Sequence, residues 1–224
     1  IKPWCKDDDP EGIYKAIEIN ARFPYLLSQY TNRYNTHTKI IQIATDCVFD
    51  GVKGNYSEKD PHNALDVYGK TKSLGEVIAD NFLNIRCSII GPELKNKTSL
   101  MEWFLSHKDG DKIFGFTHHW WNGVTTLQFA QLVEKIIVTD TFHNLRTENA
   151  VFHHIENMMV NKYELLRIFN KVFERKIMIQ PTDSVSQPVD RTLRTIFAEK
   201  QLISMEKAIK NLRDYIKESK IYHD

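Results

Sequence analysis

The sequence contains few glycines, few cysteines and no long apolar run. It has only 9 glycines among 224 residues, and it begins with Ile1 instead of Met. Three cysteines, Cys5, Cys47 and Cys87, are odd in number and far apart, which excludes a disulfide framework and favours a reducing, cytoplasmic compartment. No run reaches the roughly 18 apolar residues of a membrane-spanning helix. Without a Cys-x-x-Cys, His-Glu-x-x-His or acidic calcium-loop motif, no metal site is predicted.

The sequence also lacks an excess of either sign of charge. The 30 basic residues are balanced by 29 acidic ones, which leaves a net charge of +1. Such a balance provides no field that would hold nucleic acid or an anionic membrane, so neither partner is expected. The hydrophobic fraction of 42% is sufficient for a sizeable core.

Short β-branched runs alternate with amphipathic helical patterns along the chain. This alternation predicts parallel β-α-β units and therefore an α/β fold. Pro24 lies inside the first helical pattern, so a kink or break is predicted near Phe23. In the last helix, Met205, Ala208, Ile209, Leu212 and Ile216 are predicted to face inward. The predicted strands are 39–46, 84–90 and 150–155, and the predicted helices are 10–34, 67–81, 98–107, 125–138, 161–174 and 204–220.

Tyr68 and Lys72 form the most informative pair. Four residues apart on a predicted helix, they share one face, where a lysine ammonium would lower the pKa of the phenol and make it a usable acid or base. Chance alone produces such a spacing about once in a chain this rich in tyrosine and lysine. Thr45 ends the preceding strand, and ligands of open parallel sheets bind beyond the carboxyl ends of the strands. Thr45 would then face the same crevice as Tyr68, although a strand-end threonine also serves as a cap.

Three segments together carry a resemblance to a known family. They are Ala44-Thr-Asp-Cys-Val-Phe-Asp-Gly51, Lys53-Gly-Asn-Tyr-Ser-Glu-Lys-Asp-Pro61 and Asp66-Val-Tyr-Gly-Lys-Thr-Lys-Ser-Leu-Gly-Glu76. The chain resembles the extended short-chain dehydrogenase/reductase superfamily, most closely its dTDP-4-dehydrorhamnose reductase group. The resemblance is dense from about residue 40 to 92 and looser beyond.

The resemblance implies roles for several residues. Tyr68 matches the catalytic acid, Lys72 the lysine that assists it and binds the nicotinamide ribose, and Thr45 the hydroxyl that polarises the substrate carbonyl. The cofactor is expected to be NADPH or NADH. It is expected to lie against Tyr68, Lys72 and the strand end formed by Ser88, Ile89 and Ile90, which could equally be plain strand core. Asn20 falls where the family often has an asparagine, although a buried polar contact between helices fits it as well.

The substrate is expected to contact a second set of residues. Trp121 and Asn122, in a predicted loop over 116–125, match the border of the family's substrate cleft, although the tryptophan could instead close a domain interface. Arg191 matches a residue near the nucleotide diphosphate, but a surface salt bridge fits it equally. Cys47 stands where dehydratases of the superfamily have a glutamate base and where related epimerase/reductases have a proton-moving cysteine. No second acid or base for epimerisation could be matched.

The resemblance implies a Rossmann-like cofactor domain formed by 1–92 and about 116–157. A smaller, mostly helical substrate domain is formed by about 93–115 and 158–224. A Rossmann enzyme requires a glycine-rich turn for the pyrophosphate, and none of the 9 glycines forms one. We therefore expect that roughly sixty residues, about one β-α-β-α-β unit, precede Ile1 in the natural protein.

The expected function is reduction of the 4-keto group of a nucleotide-activated deoxysugar, for dTDP-rhamnose and polysaccharide biosynthesis. Two other functions stay open: a bifunctional 3,5-epimerase/4-reductase that uses Cys47, and a non-catalytic regulatory subunit on the same fold. Beyond the nucleotide-sugar substrate, the protein is expected to be a monomer or a homodimer.

Overall fold

The computed structural model describes residues 5–34, 37–184, 186–197 and 201–221, so Ile1 and the end of the second predicted domain lie outside it. The helices are Pro10–Ala16 (α1), Phe23–Tyr34 (α2), Val67–Leu74 (α3), Leu100–Ser106 (α4), Thr126–Thr139 (α5), Lys162–Val172 (α6) and Met205–Ser219 (α7). The strands are Ile40–Ile43 (β1), Phe82–Arg86 (β2), Ile89–Ile90 (β3), Lys112–Phe116 (β4), His119–Trp121 (β5), Val124–Thr125 (β6), Val151–His153 (β7), Val160–Asn161 (β8), Met178–Thr182 (β9) and Val189–Asp190 (β10).

Three parallel strands form a sheet in the order β1-β2-β7. Every residue of the central strand β2 is buried, as is usual for a parallel strand covered on both faces. Leu83 and Ile85 of β2 belong to a core with Leu132 and Ile136 of α5, whose first turn is closed by a capping box. The prediction of an α/β fold with parallel strands is confirmed.

A π-helical segment, Ile17–Arg22, joins α1 to α2 in place of a regular helix. Pro24, which follows it, has no N–H for the carbonyl of Asn20, its partner in an α-helix. The predicted break near Phe23 is therefore confirmed, and it takes the form of a widened turn. Asn20 is buried within it and faces α3.

Helix α3 is shorter than predicted. The pattern predicted a helix over 67–81 with Leu74, Val77 and Ile78 on one face, but α3 ends at Leu74 with Gly75 as its cap. Leu74 and Ile78 are 62% and 65% exposed, while Val77 is buried. Gly75 permits a close approach of the helix end to the π-helical segment, because a Cβ there would lie 1.8 Å from the backbone oxygen of Asn20.

A second hydrophobic core lies between α4, α6, α7 and the parallel pair β4-β9. All five inward positions predicted for α7 are buried. The loop predicted over 116–125 is wrong: β5 pairs with β10 and β8, and β6 pairs with β3. Ile90 and Trp121 both pack into this second core. The predicted domain boundaries remain a prediction.

A buried charge network links the sheet to the loops above it. Arg86 of β2 makes a bidentate ion pair with Glu76, its Nε lying 2.8 Å from Oε1 and its Nη2 2.7 Å from Oε2. Its Nη1 lies 3.2 Å from Nε2 of His153, whose Nδ1 donates to the carbonyl of Arg194 at 2.9 Å. Burial, together with Arg86, lowers the pKa of His153, so the imidazole stays neutral and accepts from the guanidinium.

Glu58 closes the network. Its carboxylate is buried and accepts the backbone N–H of His153 at 3.0 Å. It also accepts the Thr195 hydroxyl at 2.6 Å and the N–H of Ile196 at 2.9 Å. Segments 76, 86, 153 and 194–196 are thereby joined through side chains that would be costly to leave unpaired.

Replacing Gly75 by alanine tests the contact between α3 and the π-helical segment. We expect Gly75→Ala to lower the free energy of unfolding by about 3 kcal/mol, since two backbones must move apart. Gly110→Ala is the control, because nothing lies within 4 Å of the added Cβ and only its φ of +92° is unfavourable. That control should cost about 1 kcal/mol. Equal losses in urea titrations of the two variants would contradict the close approach.

Candidate active site

A cavity of about 520 Å³ opens beyond the carboxyl end of β1. Its wall brings together residues from the π-helical segment, the β1 end, α3 and the turn after β2. This is the edge at which parallel sheets bind ligands. The lining residues are Asn20, Ile43, Ala44, Thr45, Asp46, Cys47, Tyr68, Lys72, Cys87, Ser88, Ile89 and Glu93.

Thr45 lies at the start of a 3₁₀ turn, Asp46–Val48, and is 6% exposed. Its hydroxyl accepts the backbone N–H of Cys47 at 3.2 Å and donates to Oδ1 of Asp46, also at 3.2 Å. It therefore caps the turn, as one sequence interpretation predicted, and it faces the cavity as the other predicted. The two interpretations are compatible, because Thr45 both caps the turn and lines the cavity.

Tyr68 is carried to Thr45 by the close approach of α3 to the 3₁₀ turn. Gly69 permits that approach, since a Cβ there would lie 2.5 Å from the carbonyl oxygen of Cys47. Asp66 fixes the helix start, accepting the N–H of Gly69 at 2.8 Å. The phenol hydrogen-bonds the Thr45 side chain.

The pKa of Tyr68 is raised to about 12, because burial and nearby Cys47 outweigh the effect of the hydrogen bond with the Thr45 side chain. The phenol is therefore protonated at neutral pH. The prediction that Lys72 lowers this pKa is wrong in this structure. The Lys72 ammonium donates instead to the carbonyl of Ile43 at 2.8 Å, and burial lowers its own pKa.

The predicted cofactor strand end divides between the cavity and the core. Ser88 and Ile89 line the cavity, and the Ser88 carbonyl accepts the N–H of Val124 at 2.8 Å. Ile90 points away, into the second core. Cys87 lines the cavity as well, and burial strongly raises the pKa of its thiol.

The sequence interpretation gave no role to two acidic lining residues. Asp46 follows Thr45 directly and is 5% exposed. Glu93 holds the next loop, with its carboxylate accepting the N–H groups of Thr98 at 2.5 Å and Ser99 at 3.0 Å. The position of Asp46 directly after a strand end could have indicated that it lines the cavity. The sequence around Glu93 contains no comparable indication.

Comparison with known proteins identifies the family. Residues 8–218 match the family described as the RmlD substrate binding domain. The chain belongs to this family. It is similar to dTDP-4-dehydrorhamnose reductase of Aggregatibacter actinomycetemcomitans, with 28% identity over an alignment of 178 positions that covers 74% of this chain. The chain spans 57% of the length of that relative.

Solved structures agree with the fold of this RmlD family member. A dTDP-4-dehydrorhamnose reductase from Clostridium acetobutylicum has a TM-score of 0.71 at 20% identity, covering 95% of this chain and 77% of its own. The enzyme of that name from Bacillus anthracis, solved in complex with NADP, has a TM-score of 0.72 at 16% identity, covering 92% and 74%. These likenesses confirm the predicted Rossmann-like α/β fold.

Three of the residues predicted to contact the substrate do not line the cavity: Trp121, Asn122 and Arg191. Trp121 is 4% exposed in the second core, with the Lys162 ammonium 4.6 Å from its ring centroid. Asn122 uses both ends of its amide on the backbone of Leu193: Nδ2 lies 2.7 Å from the carbonyl oxygen and Oδ1 3.0 Å from the N–H. Arg191 donates to the carbonyls of Phe49 at 2.8 Å and Asp50 at 3.4 Å instead of forming a surface salt bridge.

Among the residues that the structure describes, no group of three or more His, Cys, Asp or Glu side chains could hold a metal ion. Within the same ranges, every helix is too short or too polar to cross a bilayer.

Asn122 offers a test of its structural role. Asn122→Ala leaves both backbone groups of the buried Leu193 without a partner, so we expect the free energy of unfolding to fall by about 3 kcal/mol. Asn211→Ala, on the exposed face of α7, should change it by less than about 0.5 kcal/mol. Chemical denaturation measures both, and an Asn122→Ala variant as stable as the control would refute the role.

Proposed function

We propose that the natural protein containing this chain reduces the 4-keto group of a nucleotide-activated deoxysugar with NADPH or NADH. The observation that carries the proposal is the hydrogen bond between Tyr68 and Thr45 in a cavity that Lys72 also lines. A protonated phenol beside a hydroxyl is the pair of donors that a ketone oxygen needs as it becomes an alkoxide.

The residues of this chain would divide the work as follows. A nicotinamide, when bound, supplies the hydride that forms the new C–H bond. The Tyr68 O–H bond breaks as its proton passes to the carbonyl oxygen, which leaves a phenolate. The Thr45 hydroxyl donates to the same oxygen and polarises the carbonyl. Solvent then reprotonates the phenolate, while Lys72 remains a donor on the wall of the cavity.

The lining of the cavity fits the nicotinamide end of the cofactor. Lys72 offers a donor to ribose hydroxyls, and Ser88 and Ile89 line the same cavity. A turn for the pyrophosphate is lacking in this sequence, whose 9 glycines form no Gly-x-x-Gly-x-x-Gly motif. The proposal therefore concerns the whole natural protein.

The names of the relatives support a dTDP-activated sugar. The A. actinomycetemcomitans relative is named for 4-dehydrorhamnose as its substrate, and the B. anthracis structure contains NADP. From these we infer a role in dTDP-rhamnose and polysaccharide biosynthesis. A cytoplasmic location and a monomeric or homodimeric state remain predictions.

Tyr68→Phe tests the proposal. In the natural protein, assayed with dTDP-4-keto-6-deoxy sugars and each cofactor, we expect kcat to fall by about 100-fold or more, because the proton donor is lost. Tyr30→Phe, at a tyrosine 66% exposed on α2, should leave kcat unchanged. Full turnover by a correctly folded Tyr68→Phe variant would refute the assignment. Stoichiometric complex formation without turnover by the unmodified protein would favour a regulatory subunit.

A bifunctional 3,5-epimerase/4-reductase is the second candidate, because Cys47 lines the same cavity as Tyr68. Lys95, Lys97 and His107 do not line the cavity and are not matched to the second acid or base. Asp46 and Glu93 are the acidic groups on its wall.

Solvent exchange distinguishes the two candidates. In deuterium oxide without reduced cofactor, an epimerase would incorporate deuterium at C3 or C5 of the sugar, and Cys47→Ser should abolish that incorporation. Cys87→Ser, at a buried thiol of high pKa, should not affect it. Mass spectrometry that detects no deuterium would exclude epimerisation and leave the simple reductase.

A further inference from the structure

Asp46 is a buried carboxylate for which neither the fold nor the proposed reaction has yet provided a role. It is 5% exposed, lines the cavity and follows Thr45 directly. Its Oδ1 accepts the Thr45 hydroxyl at 3.2 Å. Burying a carboxylate is costly, so its contact with a hydroxyl of the reaction centre calls for an explanation.

The hydrogen bonds of the Thr45 hydroxyl determine which of its neighbours donates and which accepts. A threonine hydroxyl has one proton and two lone pairs. The proton goes to Asp46, and one lone pair accepts the N–H of Cys47. The second lone pair then remains for Tyr68, so the phenol is the donor in the bond between them.

We propose that Asp46 is a positioning residue: by holding the Thr45 proton, it keeps Tyr68 protonated until the substrate oxygen takes that proton. When the substrate binds, the Thr45 hydroxyl can turn from Asp46 to the substrate oxygen, and after the transfer it can turn to the new phenolate, with no net loss of its own proton. The inference rests on the proposed function for its effect on turnover, but not for the hydrogen-bond order itself.

The surroundings of the phenol favour its protonated form. Burial raises the pKa of Tyr68 most, Cys47, Asp46 and Cys5 raise it further, and the hydrogen bond with Thr45 acts in the opposite direction. Lys72 is turned to the carbonyl of Ile43 at 2.8 Å. The Asp46 carboxylate accepts the Thr45 hydroxyl at 3.2 Å.

The experiment is carbon-13 NMR of Cζ-labelled tyrosine in the full-length protein. The Tyr68 signal is assigned from Tyr68→Phe, and it is followed up to the highest pH that leaves the circular dichroism spectrum unchanged. Asp46→Asn should shift ionisation of Tyr68 downward by on the order of one pH unit. Asp46→Ser should act in the same direction and serves if the first variant misfolds.

Two further variants test whether Asp46 acts on Tyr68 through the Thr45 hydroxyl. Asp50→Asn removes a carboxylate four residues away that binds Tyr56 and Val52, and it should leave Tyr68 unchanged. In a Thr45→Val background, the effect of Asp46→Asn should fall by about half or more, because the shared hydroxyl is gone. An unshifted Tyr68, or an equal shift with and without the Thr45 hydroxyl, would overturn the proposal.

Turnover separates this inference from the proposed function. The alkaline limb of kcat/KM should move to lower pH in Asp46→Asn by the same amount as the NMR titration. An NMR shift in a protein that reduces no sugar ketone would overturn the reductase function and support the role of Asp46. Turnover with an unmoved alkaline limb would overturn the role of Asp46 and leave the function standing.

Discussion

The ion pair between Arg86 and Glu76 fixes the geometry on which the candidate site depends. Arg86 belongs to the buried central strand β2, and Glu76 lies two residues beyond the end of α3. Neither charge can be left alone in this interior, so the end of α3 is tied to the sheet. His153 and Glu58 extend the same constraint to β7 and to the segment 194–196.

Two glycines determine how closely α3 packs, once its C-terminal end is tied to the sheet. Gly69 lets the first turn of α3 approach the carbonyl of Cys47, and Gly75, the cap of α3, lets the helix end approach the carbonyl of Asn20. The helix thus fits between the 3₁₀ turn and the π-helical segment with no space for a methyl group at either contact. Tyr68 lies near the first contact, which explains how a single phenol is held against Thr45.

Much of the fold and part of the site could be predicted from local pattern. The buried positions of α7 followed from helical spacing, and the meeting of Thr45 with Tyr68 followed from where parallel strands end. The pKa of Tyr68 could not be predicted, because burial exceeded the effect of a lysine that binds the Ile43 carbonyl instead. Asn122 was also beyond local reasoning, since its partner Leu193 is 71 residues away in the chain.

The π-helical segment makes the first helix sensitive to length. One residue more than an α-helix would use is accommodated between Ile17 and Arg22, so the positions before and after it are out of phase by about 100° relative to a regular helix. Deleting one residue there would remove the extra residue of the widened turn. It would also rotate α1 relative to α2 and carry Asn20 off the cavity wall. A length change of one residue in this helix therefore alters the active-site wall, whereas the same change in an exposed loop leaves it intact.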